Sequence, residues 1–429
     1  MKFVPSAKQF SFQMAGLMVY MAFVYVACAP VKFEKNDQID CQGFKEKCAN
    51  VVIEGTSYQD FNYDYTVPGR AVDILIVDDN SGSMSFEQNH MSERFSSFLQ
   101  ALEQRSIDYR IAVTTTDISV MDTSSNLYNP PRAINQNGAL QDGRLIAYSN
   151  GEYFLTPNSA NKQALFDGVI KRAETLNCEA FLKANPDSYA SGFQKAYQEA
   201  CPSGNERGIY AINQVIKTNP NSFIRPNAHF AVVVLSDEDV MSSSYQSDSF
   251  YADYRLAYED MPQSVVENAS KYLGGNTLSV HSIIVNPGSL KSGAYADAVA
   301  KSLAGTGKVN TYSYFTGGDT ACLQKQNTQT PNISGSYGYV YSLLSKMTGG
   351  IEGDICANDY GSQLYNIGAN AGSHVNEIKL ACVQPKDLVV TPDASNGASA
   401  SFTINADIVK FDKDLVPGSK VHLKYLCPK

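Results

Sequence analysis

Three oxygen-bearing side chains stand at alternate positions just after a strongly apolar stretch of the chain. Asp79, Ser81 and Ser83 belong to the segment Asp79-Asn-Ser-Gly-Ser83. A spacing of two in a tight turn places these side chains on one side, and carboxylate and hydroxyl oxygens are the hard ligands that suit Mg²⁺. We therefore predict a divalent-metal site here, with Mn²⁺ or Ca²⁺ as alternative ions.

The elements around this motif distinguish a metal site from an ordinary turn. An isolated Asp-x-Ser-x-Ser segment is typical of a solvated turn or a helix cap, because Asp and Ser favour both. Here residues 71–77 form a near-continuous apolar run, typical of a strand buried on both faces of a parallel sheet. Residues 85–104 place Met91, Phe95 and Leu102 on one face of a predicted helix. The motif is therefore expected between a buried strand and an amphipathic helix.

A second acidic segment, Ser236-Asp-Glu-Asp239, follows the clearest buried strand of the chain, predicted over residues 229–235. Strands and helices alternate between residues 71 and 371, which predicts a doubly wound α/β sheet. Ligand sites in such sheets gather at the carboxyl ends of the strands. We therefore expect Asp237 to share one rim of the sheet with Asp79.

The other acidic residues of these two segments are interpreted as non-ligands. Glu238 and Asp239 are predicted to be solvated charges on the rim. Asp78 stands one residue out of phase with Asp79 along its strand, and successive side chains of a strand point to opposite faces. Asp78 is therefore expected to face away from the metal.

These residues resemble the von Willebrand factor A domain, whose metal-ion-dependent adhesion site begins with Asp-x-Ser-x-Ser. The resemblance covers roughly residues 70–371. Three loops within it are interpreted as insertions: residues 117–160, 178–203 and 286–336. It implies that two serines and a threonine bind Mg²⁺, that the aspartates act largely through coordinated waters, and that one position stays open for a partner's carboxylate. On this basis Asp79, Ser81 and Ser83 match the first motif of the family, and Asp237 matches the last.

The chain departs from the family pattern at the threonine. The corresponding position holds Glu206, within Gly204-Asn-Glu-Arg-Gly208. The glutamate either binds the metal directly or occupies the place of the partner's carboxylate, and both roles make the site more anionic. A purely local role is the alternative, because an acidic residue in the first turn of a helix is favourable for the helix dipole. A hydroxyl from Thr114, Thr115 or Thr116 is an alternative source of the missing ligand.

The N-terminal residues are typical of an export signal. Lys2 and Lys8 precede an apolar run over residues 14–27, which is shorter than the roughly 20 residues that a membrane-spanning helix needs. The segment Tyr25-Val-Ala-Cys28 resembles a bacterial lipobox, with tyrosine in place of the usual leucine. This resemblance implies that Cys28 carries a lipid. Ordinary signal cleavage, with a spare thiol, is the alternative.

The remaining eight cysteines form an even set, which favours disulfides in an exported chain. Proximity along the chain is the only guide to their pairing, and it predicts Cys41–Cys48, Cys178–Cys201, Cys322–Cys356 and Cys382–Cys427. The sequence contains no close Cys/His cluster with the spacing of zinc ligands, so a zinc site is not expected.

The fold predicted from these patterns is α/β: a doubly wound, mostly parallel sheet flanked by helices, von Willebrand factor A-like, with a small C-terminal β-rich module. In that module Val421, Leu423 and Tyr425 alternate with polar residues. The predicted domains are a signal peptide (1–27), a lipid-anchored tether with a short disulfide loop (28–66), the α/β domain (67–371) and the β module (372–429).

Charge limits the partners that this chain can take. Lysine and arginine number 34 against 43 acidic residues, and the formal net charge is −9 at pH 7, so nucleic acid is not an expected partner. Membrane contact is expected through the lipid anchor alone. Ala29 after Cys28 is not the aspartate that often retains bacterial lipoproteins at the inner membrane, which favours the outer membrane, facing either the cell surface or the periplasm.

Three functions are compatible with these features. The first is a cell-envelope lipoprotein that binds a protein or glycan partner through the metal site. The second is a structural envelope scaffold in which metal and disulfides only stabilise the fold. The third, remote alternative is a metal-dependent hydrolase that uses Asp79, Glu206 and Asp237. An enzyme is not expected, because the sequence contains no Gly-rich phosphate loop and no nucleophile elbow.

Overall fold

The computed structural model describes residues 48–67, 69–118, 141–202, 206–240, 245–246, 253–254, 257–287, 321–329, 335–393 and 401–429. All of them belong to one compact unit, residues 39–429. The predicted signal peptide, the Cys28 lipidation site and Cys41 lie outside the described residues.

Strands and helices alternate through most of the described chain. The strands are β1 (Cys48–Ile53), β2 (Thr56–Thr66), β3 (Ala71–Asp78), β4 (Asp108–Thr115), β5 (His229–Ser236), β6 (Tyr245–Gln246), β7 (Asp253–Tyr254), β8 (Leu278–Ile284), β9 (Glu352–Asp354), β10 (Glu377–Lys379), β11 (Lys386–Pro392), β12 (Phe402–Asn405), β13 (Ile408–Phe411) and β14 (Lys420–Pro428). The α-helices are α1 (Ser85–Glu103), α2 (Lys162–Ile170), α3 (Ala173–Ala184), α4 (Phe193–Ala200), α5 (Gly208–Thr218), α6 (Pro262–Tyr272), α7 (Ala321–Gln329), α8 (Tyr339–Met347) and α9 (Tyr360–Ala371).

A parallel sheet of five strands, in the order β4-β3-β5-β8-β9, forms the centre of the α/β part of the fold. Numbered by their own order along the chain, these strands run 2-1-3-4-5. That is the order of a doubly wound sheet whose switch point lies between its first and third strands. In this protein the switch point is the gap between β3 and β5, so a ligand site is expected at the carboxyl ends of these two strands.

Apolar side chains cover both faces of β3, which explains its near-continuous apolar sequence. Ile74 and Ile76 belong to one core with α1, α2 and α9, in which the rings of Phe95 and Phe166 stack with centroids 3.7 Å apart. Leu75 belongs to a second core on the opposite face, which includes α5, α6 and α8. The predicted α/β sheet with helices on both faces is confirmed.

The helix predicted over residues 85–104 is confirmed as α1. The sequence also predicts a single helix over residues 162–176, and this prediction is wrong. Two helices, α2 and α3, occupy this region, and they are separated near Arg172, whose backbone is extended. The Arg172 N–H donates to Gln88 Oε1 at 3.2 Å. This bond ties the break to α1, and it is a long-range contact that helical periodicity does not report.

Besides the two-stranded antiparallel sheet β6-β7, two larger sheets of the described residues are antiparallel, with strand orders β1-β2-β14-β11 and β10-β13-β12. Their shared core includes Phe61 and Tyr425, whose rings stack with centroids 4.9 Å apart. Residues 58–65 are rich in Tyr, Asp and Asn, which predicts an irregular crossing into the main domain. This prediction is wrong, because these residues belong to β2, which pairs with β14. Burial alternates along β2. Phe61, Tyr63 and Tyr65 are buried, and Asn62 and Asp64 between them are exposed.

Disulfides join Cys178 to Cys201, Cys322 to Cys356, and Cys382 to Cys427, so these three predicted pairings are confirmed. Cys48 is also disulfide-bonded. Disulfides of this kind are typical of proteins from oxidising compartments. Within the segments that the structure describes, no helix is both long and apolar enough to cross a bilayer.

Three of the five histidines of the chain lie close together and are partly or fully buried. The rings of His229 and His374 stack with centroids 4.4 Å apart. The Ser279 hydroxyl lies 2.8 Å from His229 Nε2 and 3.1 Å from His281 Nε2. Burial lowers the pKa of His229 well below its ordinary value and lowers the pKa of His281 to about 3. Both rings are therefore neutral in the folded protein near pH 7.

We expect the stability of the protein to fall as the pH drops below 6.5, partly because of these rings. An unfolded histidine takes up a proton near pH 6.5, whereas folded His281 does so only near pH 3. Lowering the pH from 7 to 5 should therefore cost about 2 kcal/mol through His281 alone. Urea unfolding of wild type and His281→Asn at saturating Mg²⁺ measures this contribution. The two stabilities should converge by about that amount, and parallel pH profiles would contradict the account.

Candidate metal site

The loops that follow β3 and β5 leave the sheet side by side at the switch point. Asp78 and Leu235 are paired in register, and the Asp79 N–H donates to the Leu235 carbonyl at 2.9 Å. Asp79 and Asp237 are both fully buried at this rim. The expectation that topology brings these two distant carboxylates together is confirmed.

The Asp79-Asn-Ser-Gly-Ser83 turn is held by its own side chains. The Ser81 N–H donates to Asp79 Oδ1 at 2.9 Å, and the Ser81 and Ser83 hydroxyl oxygens lie 3.0 Å apart. Ser83 Oγ donates to Asp237 Oδ1 at 3.0 Å, which links the two loops. A Cβ added at Gly82 would lie 2.8 Å from Cys178 Sγ, so the turn packs directly against the Cys178–Cys201 disulfide.

Ser236 belongs to the site, although the sequence predicts no role for it. Its hydroxyl donates to Asp79 Oδ2 at 2.6 Å and lies 3.1 Å from the Glu238 N–H, which donates to it. The sequence feature that could have indicated this role is the position of Ser236 at the end of a buried strand, directly before Asp237. Ser236 therefore orients the Asp79 carboxylate from the neighbouring strand.

Glu206 lies at this rim with a relative exposure of 1%. The Thr116 hydroxyl donates to Glu206 Oε2. The backbone beside it is fixed by an isolated bridge between Asp117 and Glu206 and by the Arg207 N–H, which donates to the Thr116 carbonyl at 3.0 Å. Glu206 precedes α5, and its side chain accepts a hydrogen bond from Thr116, directly after β4. Its contacts are therefore not those of a residue that stabilises the first turn of a helix.

The threonines at the end of β4 differ in what they contact. Thr116 touches the site through Glu206. Thr114 Oγ1 instead donates to the Arg144 carbonyl at 2.9 Å, so this hydroxyl is engaged elsewhere. Of these threonines, Thr116 is the one whose hydroxyl contacts a predicted ligand.

Burial gives the carboxyl groups of the site unusual protonation behaviour. It raises the pKa of Asp79, although hydrogen bonds from Ser236 and Ser81 oppose the shift. Burial, and next the charge of Asp79, raise the pKa values of Glu206 and Asp237 well above their ordinary values. Two oxygens, Glu206 Oε1 and Asp237 Oδ2, have no hydrogen-bond partner among the described residues. The cluster therefore needs protons or a cation, because buried unpaired charge is costly.

The chemistry of the donor set fits a hard divalent cation. Carboxylate and hydroxyl oxygens, including two buried carboxylate oxygens without partners, are the ligands that Mg²⁺, Mn²⁺ and Ca²⁺ prefer. The carboxylates of Asp79, Glu206 and Asp237 do not all lie within 4.8 Å of one another. A cation at this rim would therefore be held by hydroxyls and carboxylates together.

A second group of nearby ligand-type atoms is not a metal site. Within the described segments, Cys322, Asp354 and Cys356 are the one His/Cys/Asp/Glu group whose ligand atoms all lie within 4.8 Å of one another. Both sulfurs belong to a single disulfide, so neither is a thiolate. The group therefore lacks the thiolate ligands that two free cysteines would offer a metal.

The neighbouring acidic residues have distinct environments. Asp78 accepts a hydrogen bond from Gln88 Nε2, on α1, at 3.0 Å. The prediction that Asp239 is a solvated charge is wrong. Its carboxylate accepts hydrogen bonds from the backbone N–H groups of Tyr339 at 3.1 Å and Val340 at 3.0 Å, at the start of α8. Glu238 is half-buried.

Replacing Asp239 by alanine should destabilise the protein by about 1 kcal/mol, because the first turn of α8 loses its hydrogen-bond acceptor. Asp239→Asn is the matched control, since it keeps an acceptor oxygen and should lose less. The change is measured as the free energy of unfolding in urea. A loss that is equal in both variants would contradict a capping role.

Comparisons with known proteins add no identity. No family model matches the sequence, and no curated protein matches it. Among solved structures, the chain is similar to the pilus adhesin SpaC from Lactobacillus rhamnosus GG in its open conformation, with 12% identity, 89% of this chain and 42% of that chain covered, and a TM-score of 0.28. It is also similar to the human COPII-coat protein Sec24c, with 9% identity, 86% and 46% covered, and a TM-score of 0.36. The chain spans less than half of the length of either protein. At these TM-scores neither similarity carries an argument, so the functional proposal depends on the rim itself.

Proposed function

We propose that this protein is an exported cell-envelope protein that holds a divalent cation, Mg²⁺ by preference, at the carboxyl rim of its parallel sheet and binds a protein or glycan there. The observation that carries the proposal is the buried cluster at the switch point. Two of its carboxylate oxygens, Glu206 Oε1 and Asp237 Oδ2, have no hydrogen-bond partner among the described residues. A cation would offset most of the negative charge of this cluster and leave a charged rim for recognition.

The residues that would hold the cation are Asp79, Ser81, Ser83, Glu206 and Asp237. The bound ion would supply a Lewis-acidic contact for an oxygen of the partner. The resemblance to the von Willebrand factor A domain is part of this proposal. It is supported by the position of the Asp79 turn and of Asp237 at the carboxyl ends of neighbouring parallel strands. No catalytic role is proposed.

The location of the protein is proposed on two separate grounds. The disulfides support export, because such bonds persist in oxidising compartments. The lipid anchor on Cys28 and the outer-membrane location depend on the lipobox resemblance alone. Lipid labelling of the expressed protein, compared with Cys28→Ser, tests that part independently.

A structural scaffold is the second candidate function. It is favoured by the depth of the site, because Asp79 and Asp237 have a relative exposure of 0%. In this alternative the cation only neutralises buried charge and stabilises the loops after β3 and β5. The partner would then bind elsewhere on the protein.

Binding of the purified Cys28→Ser protein to whole cells distinguishes these candidates. Wild type is measured with Mg²⁺ and with chelator, beside Asp79→Ala and Glu206→Thr, with Asp108→Ala as the control because Asp108 begins β4 and lies at the amino end of the sheet. We expect binding with Mg²⁺ in wild type and in the control, and a loss of binding with chelator or after Asp79→Ala. Equal binding in every case would contradict metal-dependent recognition. Lower thermal stability in chelator with unchanged binding would favour the scaffold.

A further inference from the structure

We infer that Glu206 fills one coordination position of the cation from within the protein, so that the rim excludes acidic partner groups and accepts neutral or basic ones. This inference rests on the proposed function, since it requires a cation at the site.

The Glu206 carboxylate is held at the site before any partner arrives. Thr116 donates to one of its oxygens, and the bridge to Asp117 fixes its backbone. The next residue, Arg207, is anchored to Asp260, with its Nη2 2.8 Å from Asp260 Oδ2. A side chain restrained on both sides loses little conformational entropy when it binds a metal.

One oxygen of Glu206, Oε1, is not contacted by Thr116. It is buried and has no hydrogen-bond partner among the described residues. Burial, and next the charge of Asp79, the first residue of the metal motif, raise the pKa of the Glu206 carboxyl, so the two groups interact electrostatically. The carboxylate is therefore within the same group of oxygens as the proposed ligands, and it has a lone pair available for a cation.

Negative charge remains at the rim after a divalent cation binds. Asp79, Glu206 and Asp237 together exceed the charge of one such ion, and the half-buried Glu238 adds another carboxylate beside them. The nearby Arg207 does not compensate, because its guanidinium is paired with Asp260. An acidic group that approached this loaded rim would meet like charge, which is unfavourable at an interface.

The number of water molecules on a bound Mn²⁺ ion tests this inference directly. The full Cys28→Ser protein is loaded with Mn²⁺ alone, and water-proton relaxivity is measured for wild type, Glu206→Ala and Glu238→Gln. We expect higher relaxivity in Glu206→Ala, because alanine has no ligand atom and the lost carboxylate opens a position to water. Wild type and Glu238→Gln should share the lower value, since Glu238 is not proposed as a ligand.

Glutarate then serves as the acidic probe. It should lower the relaxivity of Glu206→Ala, by displacing the additional water, and leave that of wild type unchanged. Equal relaxivity in wild type and Glu206→Ala would overturn the inference, and so would an equal rise in Glu238→Gln, which would indicate a charge effect. Displacement of water by glutarate in wild type would also overturn it, even if Glu206→Ala did not fold. Failure of wild type to bind Mn²⁺ is a different result, because it would refute the proposed function itself.

Discussion

Replacing Arg207 by methionine is expected to lower the free energy of unfolding by about 3–5 kcal/mol, the largest effect that we predict for a single substitution. Arg207 and Asp260 form a buried ion pair in which Nε and Nη2 both contact the carboxylate, at 3.0 Å and 2.8 Å. The relative side-chain exposures are 6% and 0%. Methionine removes the positive charge but keeps much of the volume, so Asp260 is left as a buried charge without its main counter-ion.

The double variant Arg207→Met/Asp260→Leu provides the control for this prediction. Because it removes both charges and keeps apolar volume, it should recover much of the lost stability. Urea unfolding at saturating Mg²⁺ measures all three proteins. A loss below about 1 kcal/mol in Arg207→Met, the range of an exposed ion pair, would contradict the structural account. The result also bears on the site, because Arg207 directly follows Glu206 and anchors its segment.

The second large effect is a reversal of stability at Asp237 when metal is removed. Burial raises the pKa of Asp237 on folding, from an ordinary value of 3.8. A group with a raised pKa contributes stability at low pH and loses it as the pH rises, so at pH 7 this carboxyl destabilises the folded protein without metal. Asp237→Asn removes that charge and keeps an oxygen that accepts from Ser83. In chelator the variant should therefore be at least as stable as wild type.

Magnesium should invert this order. At a Mg²⁺ concentration about 100 times the dissociation constant, wild type gains about 2.7 kcal/mol. Asp237→Asn should gain much less, because it lacks one of the carboxylates that neutralise the ion. Calorimetric unfolding of both proteins at pH 7, with and without Mg²⁺, gives the comparison, and Asp108→Asn at the opposite end of the sheet is the matched control. A wild type that is the more stable protein in chelator would contradict our description of the buried cluster.

Local sequence patterns were sufficient to predict the elements that position the site. The apolar run of β3 and the periodicity of α1 are local properties, and each is dictated by the cores that cover it. The meeting of Asp79 and Asp237 also followed from the sequence, because parallel strands end on the same rim. Proximity along the chain correctly paired the three disulfides whose cysteines are all described.

Contacts between distant segments account for what the sequence did not predict. The capping of α8 by Asp239 depends on how two separate loops pack, so a solvated charge was the natural but wrong interpretation. The bond between Thr116 and Glu206 likewise joins two separate segments of the chain. Strand β2 was missed as well. Its alternating aromatic residues are present in the sequence, but its partner strand, β14, lies at the other end of the chain.

The central claim is that buried oxygens at the switch point hold one divalent cation, and its most direct test is metal content. Wild type and Ser81→Ala/Ser83→Ala are dialysed to equilibrium against Mn²⁺, and bound metal is measured by elemental analysis beside the protein concentration. We expect one bound Mn²⁺ per wild-type chain and no bound Mn²⁺ in the folded double variant. A wild type without bound metal, or a folded double variant that retains as much as wild type, would contradict it.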